Sequence, residues 1–221
     1  MRHALSGSTE RGAAQALVRA PAPGDFPHLG RILWNAFGPK LRFFVGDDPV
    51  RGAGLLSDLL SGGAIRADAV RVAALPSGAA PTVPVGLCLV RLPDQDIFRT
   101  VPALRAAWRR FGPWRGLRAF AGLCLCDEPA RPGSAVLSLL AVAPEARGQG
   151  IGSALLQAVE AQARAAVPRL HVLSLDVIEH NPARRLYERH GFRVTRAHRL
   201  PGPLARMLGY DAYDHMEKRL A

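Results

Sequence analysis

Apolar residues in this 221-residue chain recur with two spacings, and the points where one gives way to the other set out its elements. Residues 134–142, SAVLSLLAV, form a near-continuous apolar run, of which 138–142 reads as a strand. A turn through Pro144 follows, and near Gly150 the spacing becomes helical. Ile151, Leu155 and Val159 then fall at i, i+4 and i+8, a stripe suited to seating a helix on a sheet. Residues 170–178 read as the next strand, with Asp176 near its exit. In NPARRLYERHGF, residues 181–192, Asn181 reads as an N-cap and Pro182 as the first helical residue. Ala183, Leu186, Tyr187 and His190 share one face of that helix, Gly191 supplies the stop, and Phe192 opens a strand running to His198. After Pro201-Gly202-Pro203 come a short segment at 204–208 and a last strand at 215–220.

The N-terminal half reads less regularly. Residues 1–14 are small and polar, without periodicity, and predict a flexible tail ahead of one domain spanning 15–221. Residues 16–20 suit a first strand, and Asp25 a cap for a helix ending at Phe37, with Leu29, Ile32, Leu33 and Ala36 as its stripe and Gly38-Pro39 as its stop. Residues 41–45, with Phe43 and Phe44, are apolar but of open type. A second helix is predicted at 49–61, and two strands at 69–75 and 83–92 are spaced as an antiparallel pair. Residues 93–133 then intervene as an insertion of two helices, 97–111 and 114–124, broken at Gly112-Pro113. Leu104, Trp108 and Phe111 make one apolar face of the first, with Arg105, Arg109 and Arg110 elsewhere. Such a basic, tryptophan-bearing hairpin suits a lid over a binding site, a homodimer contact, or a surface touching lipid headgroups. Docking onto the domain is expected to use up its apolar faces, which favours the lid or packing role.

Composition narrows the class. The formal net charge is +11, yet only Lys40 and Lys218 are lysines, so 27 of the 29 basic residues are arginine. With abundant Ala, Gly and Pro, that is a bias of the whole chain and argues against nucleic acid as a partner, although it favours attraction of a polyanionic ligand. No apolar run has the length of a membrane span, and the first residues lack the apolar centre of a signal peptide, so the expected location is cytoplasmic. Cys88, Cys124 and Cys126 lack metal-site spacing; reduced thiols are expected, and no metal.

Candidate chemistry begins at Arg147-Gly148-Gln149-Gly150-Ile151-Gly152. Glycines at alternate positions let successive N–H groups converge at the first turn of a helix, where those groups have no intrahelical partner and meet the positive end of the dipole. The result is a cradle for a phosphate or pyrophosphate, with Arg147 at its mouth. The chain has no Gly-Lys-Ser/Thr for a Walker A loop, and its G-x-G-x-G spacing is not the Rossmann G-x-G-x-x-G.

Arg-x-x-Gly-x-Gly between a strand and a long helix resembles the acyl-CoA pyrophosphate loop of the GNAT N-acetyltransferase superfamily, and residues 181–192 resemble its second signature. The resemblance implies an α/β (α+β) fold with a mixed, mostly antiparallel sheet flanked by helices, splayed between strands 4 and 5, here with a helical insertion before strand 4. It implies acetyl-CoA as co-substrate, held by residues 147–152 (Arg147, Gly148, Gln149, Gly150, Ile151, Gly152) and by the strand edge at Leu140, Ala141 and Val142. Asn181 caps its helix and, by resemblance, reaches the pantetheine arm. Tyr187 is implied as proton donor to the departing thiolate, and a small-molecule or peptide amine as acceptor. The glutamate that many members carry on the central strand is missing from 134–142, so Asp176, Glu128 and Asp127 are the candidate bases, in that order, with a water chain or no dedicated base as the alternative. A non-catalytic acyl-CoA-binding module, or a transferase for a longer acyl chain, carries the same loop.

Overall fold

The computed structural model describes residues 16–77, 80–93, 98–125, 130, 133–166 and 170–220. The predicted tail, Cys126, Asp127 and Glu128 lie outside the described residues. Seven strands form one sheet in the order β1-β2-β3-β4-β5-β7-β6: β1 Leu17–Arg19, β2 Val70–Ser77, β3 Ala80–Arg91, β4 Ser134–Val142, β5 Val172–Ile178, β6 Arg193–Arg199 and β7 Ala212–Arg219. Every neighbouring pair is antiparallel except β4 and β5. Those two run parallel because α5, Ile151–Ala166, carries the chain back across the sheet between them. The apolar stripe of α5 does the seating: Ile151, Leu155, Val159 and Ala163 are all buried. Beneath it, a Cβ on Gly86 would stand 3.1 Å from Leu155, so the glycine brings strand and helix together.

The other face carries α1 (Phe26–Val45), which packs on β3 and β4, with α2 (Pro49–Ser61) beside it. The inserted hairpin, α3 (Thr100–Phe111) and α4 (Pro113–Leu125), lies on α1 and α2 as a further layer. Short helices α6 Arg184–Arg189 and α7 Gly202–Leu208, and 3₁₀ turns at Pro23–Asp25, Ala67–Ala69 and Pro144–Ala146, connect these elements.

Local signals set α2. Asp48 accepts hydrogen bonds from the N–H groups of Val50 (2.9 Å) and Arg51 (3.1 Å), and Pro49 occupies the first turn. Local signals mislead at α1, which continues through Gly38-Pro39 to Val45. Proline removes one backbone donor and strains that turn, but the second half of the helix buries Leu41, Phe44 and Val45. Phe44 packs so tightly on α4 that a Cβ on Gly122 would be 2.3 Å from its ring. Burial of three large side chains, ~1.5–3 kcal/mol each, holds the helix together across the proline.

Asp25 precedes α1 but its side chain does not cap it. Its carboxylate is engaged by Arg19, at 2.6 and 2.9 Å, and by the N–H of Ala22 at 2.7 Å. The inserted helices break at Gly112-Pro113 as expected, but their buried side is a different one. Ala103, Ala106, Ala107 and Phe111 face inward on α3, while Trp108 points out. The helix predicted from Pro182 is shorter, six residues from Arg184, preceded by a turn.

Candidate active site

Val136 opposite Ser174 is the last of only three pairs between β4 and β5. Past it the strands part, although β4 runs on to Val142 and β5 to Ile178. The change coincides with a bulge on the other edge of β4: Leu89 pairs with Leu139 and Val90 with Leu137, leaving Ser138 extra. A bulge bends its strand and adds twist, and here it turns β4 away from β5. A slot opens between them.

The alternation of the β4 backbone decides what faces the slot. Ala143 donates to the Val85 carbonyl at 2.8 Å, so the backbone groups of Ala143 and Ala141 point toward β3. Those of Leu140 and Val142 point into the slot, where no strand meets them. Of the predicted strand residues, Leu140 and Val142 therefore offer hydrogen bonds there, and Ala141 does not.

The glycine loop begins where this edge ends. Gly148 (φ 76°) and Gly150 (φ 78°) occupy the left-handed region that other residues avoid. The N–H of Ala154 bonds the Gly150 carbonyl at 3.0 Å, which leaves Ile151, Gly152 and Ser153 as the free donors of the first turn of α5. Arg147 folds its Nε back onto the Val142 carbonyl at 3.3 Å, and Gln149 donates to the Glu145 carbonyl at 3.2 Å. A Cβ on Gly152 would sit 3.0 Å from Leu186, so this glycine admits α6 against α5. Asn181 caps its turn through the Ala183 N–H at 2.9 Å.

Tyr187 projects from α6 into the core, 7 % exposed, edge-on to Phe192 at 6.0 Å between centroids. Burial, with a smaller effect from nearby Cys88, pushes its phenol up to about 12. Its hydroxyl has no hydrogen-bond partner among the described residues. Cys88 is itself buried, donates to the Leu155 carbonyl at 3.8 Å, and has its thiol pushed up to about 12, chiefly by burial. It is an inert core thiol.

Asp176 lies two residues past the last β4–β5 rung and belongs to a group that the sequence reading did not assemble. His215, opposite it on β7, brings Nδ1 to 2.7 Å from Asp176 and Nε2 to 3.3 Å from Glu217. The residues alternate with the buried Leu175 and Val177, so they occupy the face away from α5. A histidine and a glutamate two apart on a strand is the one sequence signal for this pair, and it needs the β5–β7 register to bring in Asp176. Among the described residues no group of three or more His, Cys, Asp or Glu could hold a metal ion.

Residues 115–194 match the family model of the acetyltransferase (GNAT) domain. No curated protein matches the chain. Among solved structures it is similar to an acetyltransferase at 21% identity, over 93% of this chain and 100% of the other, with a TM-score of 0.63. A ribosomal-protein-alanine N-acetyltransferase from Brucella melitensis is similar at 21% identity, over 92% and 99% of the two chains, with a TM-score of 0.54. Naa20 from Chaetomium thermophilum, in complex with a bisubstrate analogue, is similar at 21% identity, over 92% and 86%, with a TM-score of 0.52. The part of the chain that matches carries the β4 edge, the glycine loop and α6, and in these elements it is similar to the GNAT superfamily of acyltransferases. Acetyl-CoA is the usual co-substrate of that superfamily, and its acceptors are amines.

Proposed function

We propose that this protein transfers the acetyl group of acetyl-CoA to a primary amine by direct attack. The observation that carries the reading is the continuity of two half-sites. An unpaired strand edge at Leu140 and Val142 runs straight into a glycine-rich nest at the start of α5. Such an edge suits the amides of a pantetheine arm, which would add as a strand does. The free N–H groups of 151–153 and the Arg147 guanidinium suit a diphosphate. Asn181 is held to its own cap and borders the same arm.

Attack requires a neutral amine, and a lysine-like amine of pKa ~10.4 is mostly protonated at neutral pH. Asp176, oriented by His215, is the proposed proton acceptor, directly or through a water molecule. Contacts from Nδ1 to Asp176 and from Nε2 to Glu217 fix the His215 ring, and the ring in turn holds the Asp176 carboxylate in place. Glu128, outside the described residues, is the alternative carboxylate.

Tyr187 contributes at the sulfur. A phenol raised to about 12 holds its proton more tightly than an ordinary thiolate of pKa ~8.5 takes one up. Its role is therefore a hydrogen bond to the developing thiolate, with the proton retained. Peptide amino termini belong among the amines tested, since one similar structure is of a ribosomal-protein-alanine N-acetyltransferase. The experiment is thiol release from acetyl-CoA and longer acyl-CoA thioesters against an amine panel. Acceptor-dependent release is expected. Tight CoA binding with no turnover on any amine, and none lost in Tyr187→Phe, would leave a binding module instead.

A further inference from the structure

The α3–α4 hairpin is built inside out for a pair of helices that only packs. Its inward face consists mainly of small residues, Ala103, Ala106, Ala107 and Ala119, with Phe111 and Leu123. Its two helices approach closely at Gly116, where a Cβ would lie 2.8 Å from the Trp108 Cα. Arg110 fastens α3 to Asp58 of α2 at 2.7 Å, and Arg118 fastens α4 to the Phe44 carbonyl at 3.2 Å. Docking is complete without Val101, Trp108, Trp114 and Leu117.

Those residues face outward. Val101 is 58% exposed, Trp108 53%, Trp114 84% and Leu117 54%. Val101, Arg105 and Trp108 follow one another along α3 at i, i+4 and i+7, and Trp114 and Leu117 along α4 at i and i+3. Across residues 98–125 there are six arginines and no acidic residue. Arg105, Arg109 and Arg115 are exposed and form no ion pair with a described residue. An apolar patch rimmed by like charges marks a contact surface.

Charge selects the occupant. A second copy, joined about a two-fold axis, would set this arginine row against itself. Aliphatic Val101 and Leu117 among the indoles offer poor platforms for stacking nucleic-acid bases. Indole, aliphatic and guanidinium groups on one face match the layered chemistry of a bilayer's edge: indoles settle at headgroup depth, and basic residues meet lipid phosphates. We propose that the outer face of α3 and α4 docks on an anionic phospholipid surface. Trp108, Trp114 and Leu117 enter the headgroup layer, while Arg105, Arg109 and Arg115 meet phosphates. The contact is peripheral, since among the described residues no helix is long and apolar enough to cross a membrane.

The test is sedimentation of the full chain with vesicles of phosphatidylcholine containing one-third phosphatidylglycerol, against phosphatidylcholine alone, with tryptophan emission read in parallel. Binding only to the anionic vesicles is expected, with a blue shift and quenching by brominated lipid; Trp34, 8% exposed, supplies the unshifted component. Trp114→Ala combined with Leu117→Ala should lower partitioning at least about tenfold. Arg105→Gln and Arg109→Gln should each lower it about fivefold. Circular dichroism and CoA calorimetry should be unchanged in all three, which excludes misfolding. The proposal is overturned by absence of binding to anionic vesicles, or by binding that survives these variants. It is equally overturned if Trp114→Ala instead dissolves a dimer in sedimentation equilibrium, or abolishes binding to a single-stranded oligonucleotide.

Discussion

Val136 and Ser174 face each other as the last rung joining β4 to β5, and the candidate active site exists because no rung follows. Ser138 bulges from the opposite edge two residues later, where the turn of the strand frees the backbone of Leu140 and Val142. The same divergence leaves Asp176 beside the opening on one face and admits Tyr187 from the other. One break in a hydrogen-bond ladder thus sets the geometry of every proposed contact with the thioester.

Replacing Gly150 by valine should weaken CoA binding at least about tenfold, because a β-branched residue resists a positive φ and the nest of donors opens. The strain, ~1–2 kcal/mol, should also lower the unfolding midpoint by a few degrees. Calorimetry with CoA and a thermal melt measure both; unchanged affinity would sink the pyrophosphate assignment.

Tyr187→Phe should reduce turnover about a hundredfold and leave KM for acetyl-CoA within about threefold. Because burial pushes the phenol up to about 12, the wild-type rate should show no falling limb from this group below about pH 11. A basic limb in the wild type that vanishes in the variant would contradict that.

Asp176→Asn should lower kcat/KM about a hundredfold, and His215→Gln should lower it by a smaller factor. The two residues touch at 2.7 Å, so the double variant should lose much less than the product of the single losses. Strict multiplicativity would mean that the histidine acts elsewhere.

Asp25 makes folding sensitive to acid. Burial raises its carboxyl, but the hydrogen bonds from Arg19 and Ala22, with the charges of Arg19 and His28, outweigh burial and hold it below its usual range. A depressed folded pKa contributes stability above the unfolded value of ~3.9, and that contribution is lost as pH falls through the folded value. Asp25→Asn should cost about 1 kcal/mol near neutrality, the low end because water still reaches Arg19. Urea midpoints of the two proteins should converge as pH falls through the depressed folded value.

Gly30→Ala should destabilise by about 1–3 kcal/mol, since a Cβ there would lie 2.4 Å from the Ala53 carbonyl oxygen and force α1 from α2. Gly24→Ala, with nothing within 4 Å, should be neutral. Denaturant midpoints distinguish them, with CoA affinity unchanged in both.

Much of this was legible in the chain itself, because the signals are local. Alternate glycines before an apolar helical stripe announce a nest; Pro49 at the first turn and Gly62 beyond the last bound α2; Gly112-Pro113 breaks the hairpin. Asn181 forms its cap through neighbours two residues away. Each depends on groups within one or two turns of the backbone, so spacing alone determines them.

Other features needed partners distant in the chain. Pro39 reads as a stop, yet Phe44 finds Gly122 and the helix continues. Asp25 reads as a cap, yet Arg19 across the turn claims it. Asp176 and His215 stand 39 residues apart and meet only because β7 inserts between β5 and β6. The outward face of α3 was decided by which residues fit against α1 and α2, and alanines fitted where tryptophan could not. Sequence by itself determined most of the elements and the glycine turn before α5, because their energetics are short-range. Tertiary structure decided the slot, the carboxylate–imidazole pair and the exposed tryptophans, because strand register and close packing are set by the whole sheet at once.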